Sequence, residues 1–398
     1  MSATYLRDQN VVTNLPAEAK AKFVKYMEAK TPEEKLRALQ EFLSAVPKHK
    51  GTENLIRWAR KRMAELREEI EERKRKKSGG SQPSFFIEKS GAAQIVMLGF
   101  TNVGKSSLLR ALTGAKAEVA DYPYTTKRPI PGALKYRDIE FQLIEAPAII
   151  PSGGAWNGKV LGLAKNADGL MLVIDASKEP IKQFQLLQKI LRENGIHITK
   201  PRGYVIIERG RGVHGIQVKL YGKLLCTLDE VRKLLESYRI YNAIVKVYGE
   251  VDLDAIEESI FETVVYKPTI VILNKVDLVD NSVVEEFRKS IPSNIPVLTA
   301  SAIHGHVNKD EVGRVIFDLL ELVRVYTKPP LGEPSKKPLV LKRGSTVLDV
   351  AKAVHSELYE RFAYARIWGP SAKYPGQRVG PDHIVEDGDI VEINIRKR

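Results

Sequence analysis

Gly99, Gly104, Lys105 and Ser106 stand at every fixed position of the spacing G-x-x-x-x-G-K-[ST], in the run Gly99-Phe100-Thr101-Asn102-Val103-Gly104-Lys105-Ser106. Residue types at this spacing suit a chain of phosphates. The two glycines let the backbone curl so that successive N–H groups face one centre. A helix opening at Ser106 would add the positive end of its dipole. The Lys105 ammonium would neutralise terminal phosphates, and the Ser106 hydroxyl is a hard oxygen ligand of the kind Mg²⁺ takes. Val103 and Ser107 complete the stretch expected to line the phosphates.

A second constellation is Asn274-Lys275-Val276-Asp277, after the apolar run Thr269–Leu273. A carboxylate at Asp277 can accept from N1–H and the 2-amino group of guanine, whereas adenine offers neither donor there. Asn274 would brace neighbouring loops, the Lys275 stem would pack over the base, and Ser301-Ala302 would offer a backbone N–H to guanine O6. Two other patterns carry less. Gly210-Arg211-Gly212-Val213-His214-Gly215 reads G-x-G-x-x-G, but Ile216–Leu220 alternates like a strand and opens no helix, so a glycine-rich hairpin is expected. His304 and His306 form a loop pair without carboxylates at metal-ligand spacing.

These residues need elements to position them. The chain has 398 residues, 43% of them hydrophobic, enough for two or three cores. Its one cysteine, Cys226, excludes an internal disulfide, and its polar start and short apolar runs point to a soluble, cytoplasmic protein without membrane contact. Lys and Arg number 63 against 49 Asp and Glu, a net +14, which favours a polyanionic partner such as RNA. The first ninety residues read as helices. Thr31-Pro32-Glu33-Glu34 is a capping box followed by Leu36, Leu39, Leu43 and Val46 at helical spacing. A second helix starts near Thr52 and ends in the consecutive basic residues Arg73–Lys77. From Gln94 onward, short apolar strands (Gln94–Leu98, Ile139–Ile144, Leu170–Ile174, Thr269–Leu273, Val297–Thr299) alternate with helices, as in a parallel sheet. Ninety-nine positions separate Asp175 from Asn274, where a helical crossover needs about 30, so roughly 60 residues are inserted. They read as Tyr204–Glu208, Ile216–Leu220, Leu228–Ser237 and Ile244–Val247. After the Pro-rich stretch Lys328–Pro338, strands at Leu339–Leu341, Ala363–Trp368 and Ile390–Ile395 with a helix near Val347–Leu358 suggest a β-grasp module.

With these motifs in place the chain resembles the Obg-related developmentally regulated GTP-binding (DRG) proteins, most like the archaeal members. The resemblance extends to Pro47–Glu53, Asp121-Tyr122-Pro123-Tyr124-Thr125-Thr126 and Arg324–Pro330. It implies an α/β P-loop GTPase domain with a parallel-rich sheet over 89–328, an N-terminal helical region over 1–88, an inserted α+β subdomain at about 198–262 and a TGS domain over 329–398. It also implies Mg²⁺ held by Ser106 and a switch threonine, Thr126 ahead of Thr125, and a role around RNA, ribosomes or translation, with room for a regulatory protein partner. Asn102 matches an asparagine that holds K⁺ in potassium-stimulated relatives; a loop-capping role stays open beside it. Glu145-Ala146-Pro147-Ala148 departs from the family's Asp-x-Pro-Gly, and Ile149 stands where many GTPases place a water-orienting glutamine. The expected function is slow GTP hydrolysis, with Lys105, Thr126 and Glu145 as catalytic residues. The alternative is a GTP-sensing RNA- or ribosome-binding module with negligible turnover.

Overall fold

The computed structural model describes residues 15–48, 52, 55–56, 58–60, 62–64, 66–67, 70, 87–114, 128–151, 154–199, 203–209, 214–261, 265–330 and 332–396. The expectations for Arg73–Lys77 and for Asp121–Thr126 therefore lie outside the described residues. The polypeptide divides into two compact units, Phe85–Asn194 with Lys267–Arg398, and Met1–Ser84 with Gly195–Tyr266.

In the first unit, Ala93–Leu98, Gly169–Asp175 and Thr269–Asn274 are buried along their whole length, which is why they read as unbroken apolar runs. They form the centre of a six-stranded sheet. The spatial order is Val297–Ala300, Thr269–Asn274, Gly169–Asp175, Ala93–Leu98, Ile139–Glu145 and Ile130–Tyr136. All neighbours are parallel except the last pair, an antiparallel hairpin turning at Arg137-Asp138. Parallel pairing brings the carboxyl ends of adjacent strands to one edge: Met97 lies opposite Glu145, and Asn274 opposite Asp175. The helix Lys105–Thr113 follows the first strand, and Pro180–Glu193 begins the crossover before the insertion.

The same unit carries a five-stranded sheet in the order Leu339–Lys342, Leu322–Thr327, Asp389–Ile395, Phe362–Trp368, Gln377–Val379. The helix Val347–Val354, started by a Thr346–Asp349 capping box, packs Val347 and Val350 onto Val325, Ala365, Ile367 and Val391. This is a β-grasp arrangement. Its sheet takes in Leu322–Thr327, upstream of the 328/329 boundary expected from sequence. Arg324 on that strand grips the turn of the hairpin. Its Nε and Nη2 donate to both carboxylate oxygens of Asp387 at 3.0 and 2.9 Å, and its Nη1 to Asp138 at 2.7 Å. The Tyr326 hydroxyl also donates to Asp138.

In the second unit the capping box predicted at Thr31 is present: the Thr31 hydroxyl accepts from Glu34 N–H at 3.2 Å, and the Glu34 carboxylate accepts from Thr31 N–H. The helices Ala17–Glu28 and Pro32–Ala45 bury Phe23, Leu39 and Phe42 in one cluster with Val245 and Val247 of the inserted sheet and Tyr238, Ile256 and Phe261 of its helices. The Phe23 and Phe261 rings meet at 4.6 Å. The inserted sheet runs Gly203–Glu208, Ala243–Val251, Ile216–Leu224. This corrects the expected glycine-rich hairpin. Gly203–Glu208 and Ile216–Leu224 do not pair; Ala243–Val251 lies between them, antiparallel to one and parallel to the other. A parallel pair needs a crossover, and Leu228–Ser237 supplies it.

Candidate nucleotide-binding site

Leaving the strand Ala93–Leu98, the chain turns through Asn102 in the left-handed region (φ 61°) and Gly104 (φ 90°), which caps the helix Lys105–Thr113. Gly104 is required twice over, because a Cβ there would also collide with the Asn274 amide nitrogen. Lys105 is buried, and its Nζ donates to the carbonyls of Gly99 at 3.2 Å and Phe100 at 2.8 Å. Burial pushes its ammonium down to about 8, against the opposing pull of Glu145. Gly99, Asn102, Val103, Gly104, Lys105, Ser106 and Ser107 thus form one loop and helix start, as expected.

The segment Asn274–Asp277, expected to read the base, is laced to this loop. Asn274 is buried; its Nδ2 donates to Val103 O at 2.9 Å, and its Oδ1 accepts from Ala302 N–H at 3.1 Å. Lys275, left-handed at φ 64°, donates to Asn102 O at 2.7 Å and to Asp175 Oδ2 at 2.6 Å. Asp175 is buried at its strand end, and its other oxygen accepts from the Ser177 N–H and hydroxyl at 3.0 and 2.7 Å. Burial acts to raise the Asp175 carboxyl, but Lys275 and Ser177 outweigh it and hold the group below the ordinary range. Asp277 follows on the single turn Val276–Leu278. The neighbouring Ser301 side chain, then its own backbone and the nearby His304 and His306, hold its carboxyl below the ordinary range against a smaller effect of burial.

Two points differ from the sequence reading. The Ser301 and Ala302 N–H groups expected to face guanine O6 both have internal acceptors, His306 O and Asn274 Oδ1. A base would therefore compete with Asn274 for Ala302. His304, set aside as a loop residue, comes within 3.5 Å of Asp277 Oδ2. Sequence reasoning also missed Asp175. Its only signal was a carboxylate ending a wholly apolar strand.

Glu145, buried at the end of its strand, accepts from the Ser106 hydroxyl at 2.5 Å. The segment after it is fixed to the phosphate loop's own strand: Ala146 N–H donates to Met97 O and Ile149 N–H to Gly99 O, each at 3.1 Å. Ala148 O accepts from the Trp156 indole at 3.1 Å, and Asn157 bonds both backbone groups of Ile150. The Ser106 hydroxyl, a hard oxygen that suits Mg²⁺, thus has a carboxylate beside it that could hold a water of the ion. Thr126, the other expected ligand, lies outside the described residues.

Comparison with known proteins agrees with this architecture. The 50S ribosome-binding GTPase family matches residues 94–207, the C-terminal region of that domain 213–322, and the TGS domain 323–395. An uncharacterised GTP-binding protein of Methanocaldococcus jannaschii is 35% identical over 92% of this chain and 93% of its own. Developmentally-regulated G-protein 3 of Arabidopsis thaliana is 32% identical over 90% and 98%. Ribosome-interacting GTPase 1 of Saccharomyces cerevisiae is 32% identical over 91% and 99%. Fold and site define a P-loop GTP-binding protein with a C-terminal TGS domain. The chain belongs to the developmentally regulated GTP-binding protein family.

Proposed function

We propose that this protein hydrolyses GTP slowly to GDP and phosphate and acts as a switch on RNA or the ribosome. The observation that carries the nucleotide part is the lacing of Asn274 to Val103 and of Lys275 to Asn102. Through it, base recognition and phosphate recognition reach the ligand as one body. Asp277 selects guanine. Gly99, Val103, Gly104 and Ser107 present backbone N–H groups, and Lys105 turns its ammonium to the β- and γ-phosphates. Ser106, with Thr126, would hold Mg²⁺, which supplies charge against the triphosphate, and Glu145 beside Ser106 would hold a water of that ion. Asn102 in this loop would offer an oxygen to K⁺. The lysine-rich composition supports the polyanionic partner.

One observation favours the second reading, a GTP sensor with negligible turnover: Glu145, one methylene longer than aspartate, engages the Ser106 hydroxyl itself. Single-turnover phosphate release with Mg²⁺, in K⁺ and then in Na⁺, separates the two. Release without partner supports the enzyme, a flat trace supports the sensor, and a K⁺-specific rate supports Asn102. Base selection is tested by Asp277→Asn. It exchanges an acceptor for a donor and should move preference to xanthosine nucleotides, whose C2 bears a carbonyl. Retained guanine preference would refute the assignment.

A further inference from the structure

Three tyrosines stand in register across the inserted sheet: Tyr204 opposite Tyr248, and Tyr248 opposite Tyr221. Their rings stack at 4.6 Å and 9°, then at 4.9 Å and 11°, a ladder crossing every strand. Strand alternation settles which face they occupy. Val245 and Val247 of the central strand are buried in the unit's core, and Val205, Ile207 and Val218 pack against it. The tyrosines therefore lie on the opposite, outward face. Tyr221 ends the ladder on an edge strand and is 59% exposed. Along that strand the outward positions are Gln217, Lys219, Tyr221 and Lys223. The carboxylates of this face lie on the other two strands: Glu208 is bonded to Lys246 at 2.6 Å, and Glu250 is opposite Lys223. An exposed aromatic face bracketed by lysines, on a strand with no outward carboxylate, matches the alternating rings and phosphates of an unpaired nucleic-acid strand.

We propose that this edge is a platform for single-stranded RNA, one base continuing the ladder on Tyr221 while Lys219 and Lys223 hold the flanking phosphates. The proposal rests on the RNA-directed function above and places one contact of it. Unpaired bases are required because duplexed bases offer no ring face to stack on. Among the described residues no unpartnered buried polar side chain lies on this face, so recognition is tolerant of sequence.

The test uses the full chain and a fluorescent oligouridylate of about 12 nucleotides, beside a duplex RNA of equal length. Tyr221→Ala should weaken oligouridylate binding about tenfold, and Tyr221→Trp should restore it. Lys219→Gln with Lys223→Gln should lower the slope of log K against log salt by about 1.4, two single-strand phosphates. GDP affinity should not move, which checks folding. Polyglutamate competing as well as oligouridylate, or tighter binding of the duplex, would overturn the proposal. So would unchanged affinity and slope in both sets of variants while the native chain binds RNA, a result that leaves the broader RNA function standing. Failure of the native chain to bind RNA at all would remove both.

Discussion

Shortening Glu145 by one methylene withdraws its carboxylate from the Ser106 hydroxyl, which it holds at 2.5 Å. Glu145→Asp with Ala148→Gly should therefore raise single-turnover hydrolysis about tenfold, some 1.4 kcal/mol of transition-state stabilisation, with GDP affinity nearly unchanged. Each single variant must be measured too, since both lie on one segment anchored to Met97 and Gly99 and their effects should not add. A double variant no faster than the native chain would show that the departure carries no catalytic cost. A second residue-scale prediction concerns Asp175. Asp175→Asn removes the charge partner of Lys275 and loosens the tie to Asn102. Guanine-nucleotide affinity should fall about tenfold by calorimetry, or 1.4 kcal/mol, with GDP and GTP affected alike. The phosphate loop and Asn274–Asp277 were legible in sequence because backbone curvature and base chemistry leave few residue types free. Asp175 was not, because only the register opposite Asn274 reveals what its carboxylate faces. The engaged Ala302 N–H was illegible for a like reason: its acceptor is 28 residues away.

At the scale of elements, buried parallel strands announced themselves as apolar runs. Ile130–Tyr136 did not, because it is an edge strand carrying Pro131 and Gly132 and only half of it is covered. Leu322–Thr327 was visible only as part of a family resemblance. Its partner Asp389–Ile395 lies some sixty residues on, beyond any local pattern. The amphipathic N-terminal helices were readable, yet nothing in their periodicity names what covers them. The Arg324 clamp is the element-scale feature with a measurable consequence. Its guanidinium is mostly buried, whereas Asp138 and Asp387 are about one-third exposed. Arg324→Ala should then cost about 2–3 kcal/mol in urea unfolding at pH 7, below the value for a wholly buried pair. Burial works to raise both carboxyls, but Tyr326 and then Arg324 at Asp138, and Arg324 at Asp387, hold them below the usual 3.8. Their contribution is complete above about 3.8 and fades as pH falls through the lowered values. The native chain should lose stability on acidification that Arg324→Ala no longer has to lose. Parallel acid unfolding curves for the two proteins would refute the clamp.

For the whole molecule, the excess of 63 basic over 49 acidic residues predicts that RNA binding weakens steeply with salt. Neutralising Arg73, Lys74, Arg75, Lys76 and Lys77 should lower the salt slope by up to about 3.5–4.5 if all five meet phosphates. An unchanged slope would mean that these five residues make no phosphate contact. No helix among the described residues is long and apolar enough to cross a membrane. The discontinuity of the second unit has a consequence in time. Phe23, Leu39 and Phe42 share their core with Val245, Val247 and Phe261, across an intervening stretch that belongs to the other unit. At about 5–20 residues per second, synthesis from Ala45 to the start of the inserted segment takes roughly 7–30 seconds. During that interval the nascent helices can pack Phe23 against Phe42 but lack the inserted sheet and helices that complete their core. Asn274 and Asp277 emerge later still, after Tyr266 has closed the second unit. The phosphate loop is thus made long before the residues proposed to choose its base, which join a nascent chain only once its most interleaved core can already have formed.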